Sequence, residues 1–311
     1  MTKTYLLIGG NGFVGYQVLR RLASEGKKIR CIDQAQPERE MMIDGVEYRI
    51  GDVQEKAFLE EALIGIDTVL DFVSTTMPNT KDISLENEIN NTLRYHNYIL
   101  STMVDVGVNS YVFPSSGGAV YGSRQSEIAV ETDTLFPTTP YGAGKKIVED
   151  IIHYYGHKCG LNAIILRIGN VYGSNRMRKK PQGVIDVFIQ NALEGKPIVI
   201  WGNADNAVRD YVYLEDVAES VNMVLERGLK GINTYNIGTG IGTSVNQIIQ
   251  MIEQITGIEL AKEKRDNKSS GVDRIVLSNK KIYAEVGWKP KVELREGIKK
   301  TVEFKKSILQ R

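Results

Sequence analysis

Tyr141 and Lys145 stand four residues apart in a segment where Thr139 reads as an N-cap and Pro140 as the first helical residue, so both side chains fall on one face of a predicted helix. A phenol and an amine so placed can do proton chemistry. A free tyrosine has a pKa of about 10, and a base working near neutrality needs a shift of roughly three units, or about 4 kcal/mol. A fixed ammonium and a second cationic group beside the ring supply it by favouring the phenolate. Such a pair is common on helices, and the chain before it gives it a chemical reading.

That chain begins with TYLLIGGNGFVG, Thr4 to Gly15, a short apolar strand joined to a glycine-rich turn and a helix start. Gly10, Gly12 and Gly15 fit G-x-G-x-x-G, and Gly9, Gly12 and Gly15 fit the looser G-x-x-G-x-x-G. The pattern points to a dinucleotide pyrophosphate on a helix N-terminus. Val14, Val18, Leu19 and Leu22 share one helical face that stops at Gly26. Ile29 to Ile32 then predicts a strand ending in Asp33, where an acid can bind both hydroxyls of an adenosine ribose and would repel a 2′-phosphate.

Strand and helix signals keep alternating, which predicts an α/β fold with a doubly wound parallel sheet and ligands at the strands' C-terminal ends. Val46, Tyr48 and Ile50 lead to Asp52 and Val53, with Asp52 read either as an adenine neighbour or as a helix N-cap. Val69 to Val73 leads to Ser74, and Tyr111 to Phe113 leads to PSSGGAVYG, Pro114 to Gly122. Between them a long helix from Leu85 to Val106 carries a partial apolar stripe of Ile89, Leu93, Ile99, Met103 and Val106. Further on, Ser244 and Gln247 form a capping box, and the lysine-rich helix from Leu294 reads as a solvated face.

The chain has 311 residues and a net charge of +1, which argues against nucleic acid as a partner. Its apolar runs are short of a membrane span and its start lacks a signal-peptide pattern, so the cytoplasm is expected. Cys31 and Cys159 are too few for a disulfide framework, and His153 with His157 lack a third ligand, so no metal is expected.

In sequence order, GGNGFVG, Asp33, GDV at 51–53, SSGGAVYG, YGAGK at 141–145 and RIGNVYG at 167–173 resemble the extended short-chain dehydrogenases/reductases, in their NAD-dependent epimerase/dehydratase branch. The resemblance runs over essentially the whole chain and is strongest to UDP-hexose 4-epimerases. It implies a Rossmann-like NAD-binding domain over residues 1–171, to which the chain returns at about 210–235. A smaller α/β substrate domain would take residues 172–209 and 236–311. The implied NAD site comprises Gly9, Gly12, Phe13, Val14, Gly15, Asp33, Asp52, Val53, Val73, Tyr141 and Lys145.

The same resemblance makes Tyr141 the catalytic base and gives Lys145 the tasks of lowering its pKa and holding the nicotinamide ribose. The hydroxyl that many nucleotide-sugar epimerases carry falls at Gly117, so Ser116 is assigned to that role, with Ser115 second. A helix asparagine used by some members falls at Asn91 or Asn90. Asn170, Arg209 and Ser116 are implied on the substrate, whereas Arg274 is displaced from the family's R-x-x-D-V pattern. The basic run NRMRKK, 175–180, reads as a solvated loop in preference to a diphosphate contact. Dehydratases carry acids just before VYG, where this chain has Gly118 and Ala119, so a 4-epimerase acting on a UDP-hexose is expected. A ketoreductase and a non-catalytic NAD sensor are the alternatives. A homodimer through the helices after Leu85 and Tyr141 is implied as well.

Overall fold

The computed structural model describes residues 3–74, 76, 83–123, 128–174, 181, 183–202, 204, 207–265 and 272–309. The first half alternates as β1 (Thr4–Ile8), α1 (Phe13–Ser24), β2 (Lys28–Asp33), β3 (Val46–Ile50), α2 (Lys56–Leu63), β4 (Thr68–Asp71), α3 (Leu85–Asp105), β5 (Ser110–Ser116), the short α4 (Gly117–Val120), α5 (Pro140–Cys159) and β6 (Asn162–Ile168). The remainder comprises β7 (Asn170–Tyr172), α6 (Val184–Leu193), β8 (Ile198–Trp201), β9 (Val208–Tyr213), α7 (Leu214–Arg227), β10 (Ile232–Ile237), β11 (Gly242–Ser244), α8 (Val245–Thr256), β12 (Lys262–Arg265), β13 (Arg274–Ile275), α9 (Lys280–Val286) and α10 (Leu294–Leu309).

Seven strands form one sheet in the order β3-β2-β1-β4-β5-β6-β10, with every pairing parallel. The expected doubly wound, Rossmann-like sheet is therefore present. Its inner strands send alternate side chains into helical layers on both sides. On β1, Tyr5 and Leu7 pack with Val18, Leu19 and Leu22 of α1 and with Val217 and Val221 of α7. Leu6 and Ile8 face the opposite layer, with Leu59 of α2, Ile99 and Met103 of α3, and Val148 and Ile152 of α5. Strand order reverses between β1 and β4, which opens the crevice at their C-terminal ends where such folds bind nucleotides.

After β6 the chain builds a smaller sheet in which β9 pairs with β7, β11 and β13, while β8 pairs with β12. A separate core forms there from Phe188 and Ile189 of α6, Ile248 and Ile252 of α8, and Ile298 and Val302 of α10. The lysine-rich last helix thus has a buried face as well as a solvated one.

Two local expectations are corrected. On α3, Leu93 and Val106 are exposed, and the inward positions are Glu88, Thr92, Tyr95, His96, Ile99 and Met103. Ile99 and Met103 of the expected stripe are buried, and polar residues fill much of the same face, so apolar periodicity alone traced only part of it. Asp52 is not a helix N-cap either: α2 is entered through Glu55, and Asp52 instead accepts the Gln54 N–H at 2.9 Å in a turn before it.

Candidate active site

The glycine turn after β1 is built for a close backbone approach. Gly9 has φ +80°, in the left-handed region that a side chain disfavours. A Cβ on Gly15 would overlap the Gly9 carbonyl, and one on Gly10 would overlap the Cys31 sulfur on β2. Gly12 enters α1 with no side-chain cap, so the positive helix end is left for an anion. Val14 packs into the core beneath the turn, and Phe13 beside it is half-buried. The Val73 methyl lies 3.0 Å from the Cβ position of Gly9, so it roofs the same turn.

Asp33 ends β2 with both carboxylate oxygens oriented, one by the Asn11 N–H at 3.0 Å and the other by the Gln34 N–H at 2.8 Å. Each oxygen retains capacity for a ribose hydroxyl. Val53 is buried at the end of the neighbouring strand. A backbone-lined anion site, an oriented acid and apolar walls in one crevice fit a dinucleotide.

Across the crevice, α5 begins as the sequence predicts, with Thr139 capping the Gly142 N–H at 3.1 Å and Pro140 in the first turn. This cap fixes Tyr141 and Lys145 on one face, with the ammonium 5.8 Å from the centre of the Tyr141 ring. Lys145 is buried, donates to the Pro114 carbonyl at 3.0 Å and lies 4.7 Å from the Phe113 ring centre. The Ser116 hydroxyl is close enough to the Tyr141 phenol to lower its pKa. Ser115 is elsewhere: it is buried and donates at 2.5 Å to Glu149, which is ion-paired to Arg167 at 2.7 Å. The two serines are thereby separated, and only Ser116 reaches the tyrosine.

Burial pushes the Tyr141 phenol up to about 12; the Ser116 hydroxyl pulls the other way and the Glu88 charge adds to the rise. Burial also brings the Lys145 ammonium down to about 8, opposed by Asp71, Glu88 and Glu149 in that order. As it stands the pair is a neutral phenol beside an easily lost ammonium, and an added positive charge would stabilise the phenolate.

Sequence reasoning missed the third wall. Glu88 and Thr92 of α3 line a small cavity with Ser74, His96, Tyr141 and Lys145, whereas Asn90 and Asn91 are exposed. Their signal was the spacing 88, 92, 96, 99, 103, visible once polar residues are allowed on the inner face.

The segment between β5 and Tyr121 is closed to larger side chains. A Cβ on Gly117 would lie 2.5 Å from Leu277, and one on Gly118 3.0 Å from the Asn170 amide oxygen. Asn170 therefore stands beside Ser116 at the same strand ends. Arg209 is half-buried, with its guanidinium on the carbonyls of Val208, Asp273 and Val272. Strand register pairs Val208 with Arg274 and Arg209 with Ile275, so the two arginines leave the small sheet on opposite faces. The Arg274 Nε is buried with no hydrogen-bond partner among the described residues. The NRMRKK run lies outside the described residues.

A family model described as NAD dependent epimerase/dehydratase family matches residues 5–238. The chain belongs to that family. Among solved structures, a UDP-glucose 4-epimerase of Thermus thermophilus in complex with NAD shares 32% identity at a TM-score of 0.86, over 96% of this chain and 98% of that one. A UDP-glucose 4-epimerase of Thermotoga maritima with UDP-glucose shares 27% at a TM-score of 0.87, over 98% and 99%. Members with other chemistry are also similar. A trifunctional UDP-glucose 4,6-dehydratase, 3,5-epimerase and reductase of Arabidopsis thaliana is 30% identical over 97% of this chain and 47% of its own length.

Proposed function

We propose that this protein is an NAD-dependent nucleotide-sugar 4-epimerase acting on a UDP-hexose, and that it works as a homodimer in the cytoplasm. The observation that carries the reaction is the convergence of Tyr141, Lys145 and Ser116 at the sheet's C-terminal edge, beside a 117–119 segment with no carboxylate. Dehydration needs an acid and a base beyond the tyrosine. Gly118 and Ala119 supply neither, and Gly117 is packed on Leu277.

NAD, when bound, supplies the hydride acceptor and donor. Tyr141 takes the proton of the sugar 4-hydroxyl and returns it to the keto oxygen after the sugar has turned. Ser116 hydrogen-bonds the phenol and holds the same oxygen. Lys145 favours the phenolate and reaches the cofactor ribose, while Asp33 binds the adenosine ribose and selects against a 2′-phosphate. Asn170 and Arg209 take the diphosphate. A half-buried guanidinium hydrogen-bonded only to neutral carbonyls among the described residues keeps its charge available to a phosphate, which supports that role.

The test is turnover of UDP-glucose, UDP-galactose and their N-acetyl counterparts in heavy water, followed by NMR. Interconversion at C4 without added cofactor and without deuterium on carbon is the expected result, from protein that retains NAD through purification. Net production or consumption of NADH would mean a dehydrogenase or ketoreductase instead.

A further inference from the structure

Glu88 is buried at 2% exposure on the inner face of α3, and its two carboxylate oxygens are treated differently. Oε1 accepts from the Thr76 hydroxyl at 2.8 Å and from Thr92 at 3.2 Å. Oε2 is buried with no hydrogen-bond partner among the described residues. On the facing helix a Cβ at Gly144 would come within 2.5 Å of Oε1, so α5 has a glycine where the carboxylate presses against it. A free carboxylate oxygen in a fitted recess is costly unless a charge in the same enclosure uses it.

We infer that Glu88 is the counter-charge of the catalytic pair, a positioning residue that walls one cavity with Tyr141 and Lys145. The other acids around the pair are committed elsewhere. Asp71 on β4 accepts from Tyr111 at 2.9 Å, from the Val73 N–H at 3.1 Å and from Tyr95 at 3.4 Å, and sits 3.2 Å from the His96 ring. Glu149 on α5 is held by Arg167 and Ser115. Asp71 acts on Lys145 more strongly than Glu88 does, but among the described residues Glu88 is the one carboxylate that acts on both the ammonium and the phenol. Its charge keeps Lys145 protonated in a buried place and makes Tyr141 a stronger base that ionises at higher pH.

This role rests on the functions proposed for Tyr141 and Lys145, and an NMR titration reads it without turnover. Protein labelled with carbon-13 at the tyrosine ζ position is titrated with NAD bound, and the Tyr141 resonance is identified by its loss in Tyr141→Phe. Removing a negative charge lowers the pKa of either neighbour. In Glu88→Gln the Tyr141 midpoint should therefore fall by about one unit, and both limbs of the pH–rate profile should move to lower pH together. Glu88→Leu, a second charge-free variant, should show the same shift, while Glu88→Asp stays nearer wild type. A Tyr141 midpoint that is unmoved or raised in the charge-free variants, or that moves as far in Glu88→Asp, overturns the inference. A shifted midpoint in a protein that epimerises no sugar would sink the proposed reaction and leave the counter-charge standing.

Discussion

Two adjacent serines at the end of β5 separate catalysis from architecture. Alternation along a strand sends neighbouring side chains to opposite faces, so Ser115 continues the Tyr111 and Phe113 face toward Glu149 while Ser116 meets the phenol. Ser116→Ala should lower kcat on a sugar nucleotide by about 10- to 100-fold, the worth of one hydrogen bond to a charged group, and leave the denaturation midpoint near wild type. Ser115→Ala should do the reverse, costing about 1–3 kcal/mol by removing a buried donor from Glu149 with little effect on kcat. Urea unfolding and steady-state kinetics on both variants measure the contrast, and equal loss of kcat in both would return the assignment to open competition. The sequence ranked Ser116 ahead of Ser115 only through a family resemblance, because the physical choice depends on where the strand ends and α4 begins.

At the scale of elements, what was legible is what is local. The glycine turn, the Thr139 cap with Pro140, and the Ser244–Gln247 capping box each lie within a few residues and follow from backbone sterics or hydrogen bonding alone. The inner face of α3 was not legible, since Glu88, Thr92 and His96 are turned inward by partners on β4, β5 and α5 that only the tertiary fold brings near. The β1 turn makes the distinction testable. Gly10 is a glycine because of one side chain, the Cys31 sulfur, whereas Gly15 is a glycine because of a backbone carbonyl. Gly10→Ala should cost about 1–3 kcal/mol through overpacking, and Cys31→Ala should recover most of it in a double-mutant cycle. Gly15→Ala should lose bound NAD with no such rescue. Thermal unfolding and the cofactor absorbance of purified variants measure both; a Gly10→Ala protein that Cys31→Ala does not restore would remove the sulfur as the reason.

For the whole molecule, the two helices that hold the catalytic groups also carry an unspent outer surface. The inner faces of α3 and α5 supply Glu88, Thr92, Tyr141 and Lys145, and the helices pack together, with the Tyr155 hydroxyl on Asn97 at 3.0 Å. Their outer sides expose Leu85 and Leu93 on α3 and Tyr154 on α5, with Ile89, Ile147 and Ile151 half-buried alongside. Exposed apolar side chains on two adjoining helices are of the kind that a subunit contact covers. A self-complementary contact there would brace the catalytic helices from behind, so oligomeric state and activity should change together. Light scattering should give twice the mass of one chain for the wild type, and Leu93→Glu with Tyr154→Glu should give monomers of lower kcat whose far-UV spectrum is retained. A double variant that remains dimeric would move the interface to another face. A monomeric variant with full kcat would show that the inner faces of α3 and α5 hold their geometry unaided.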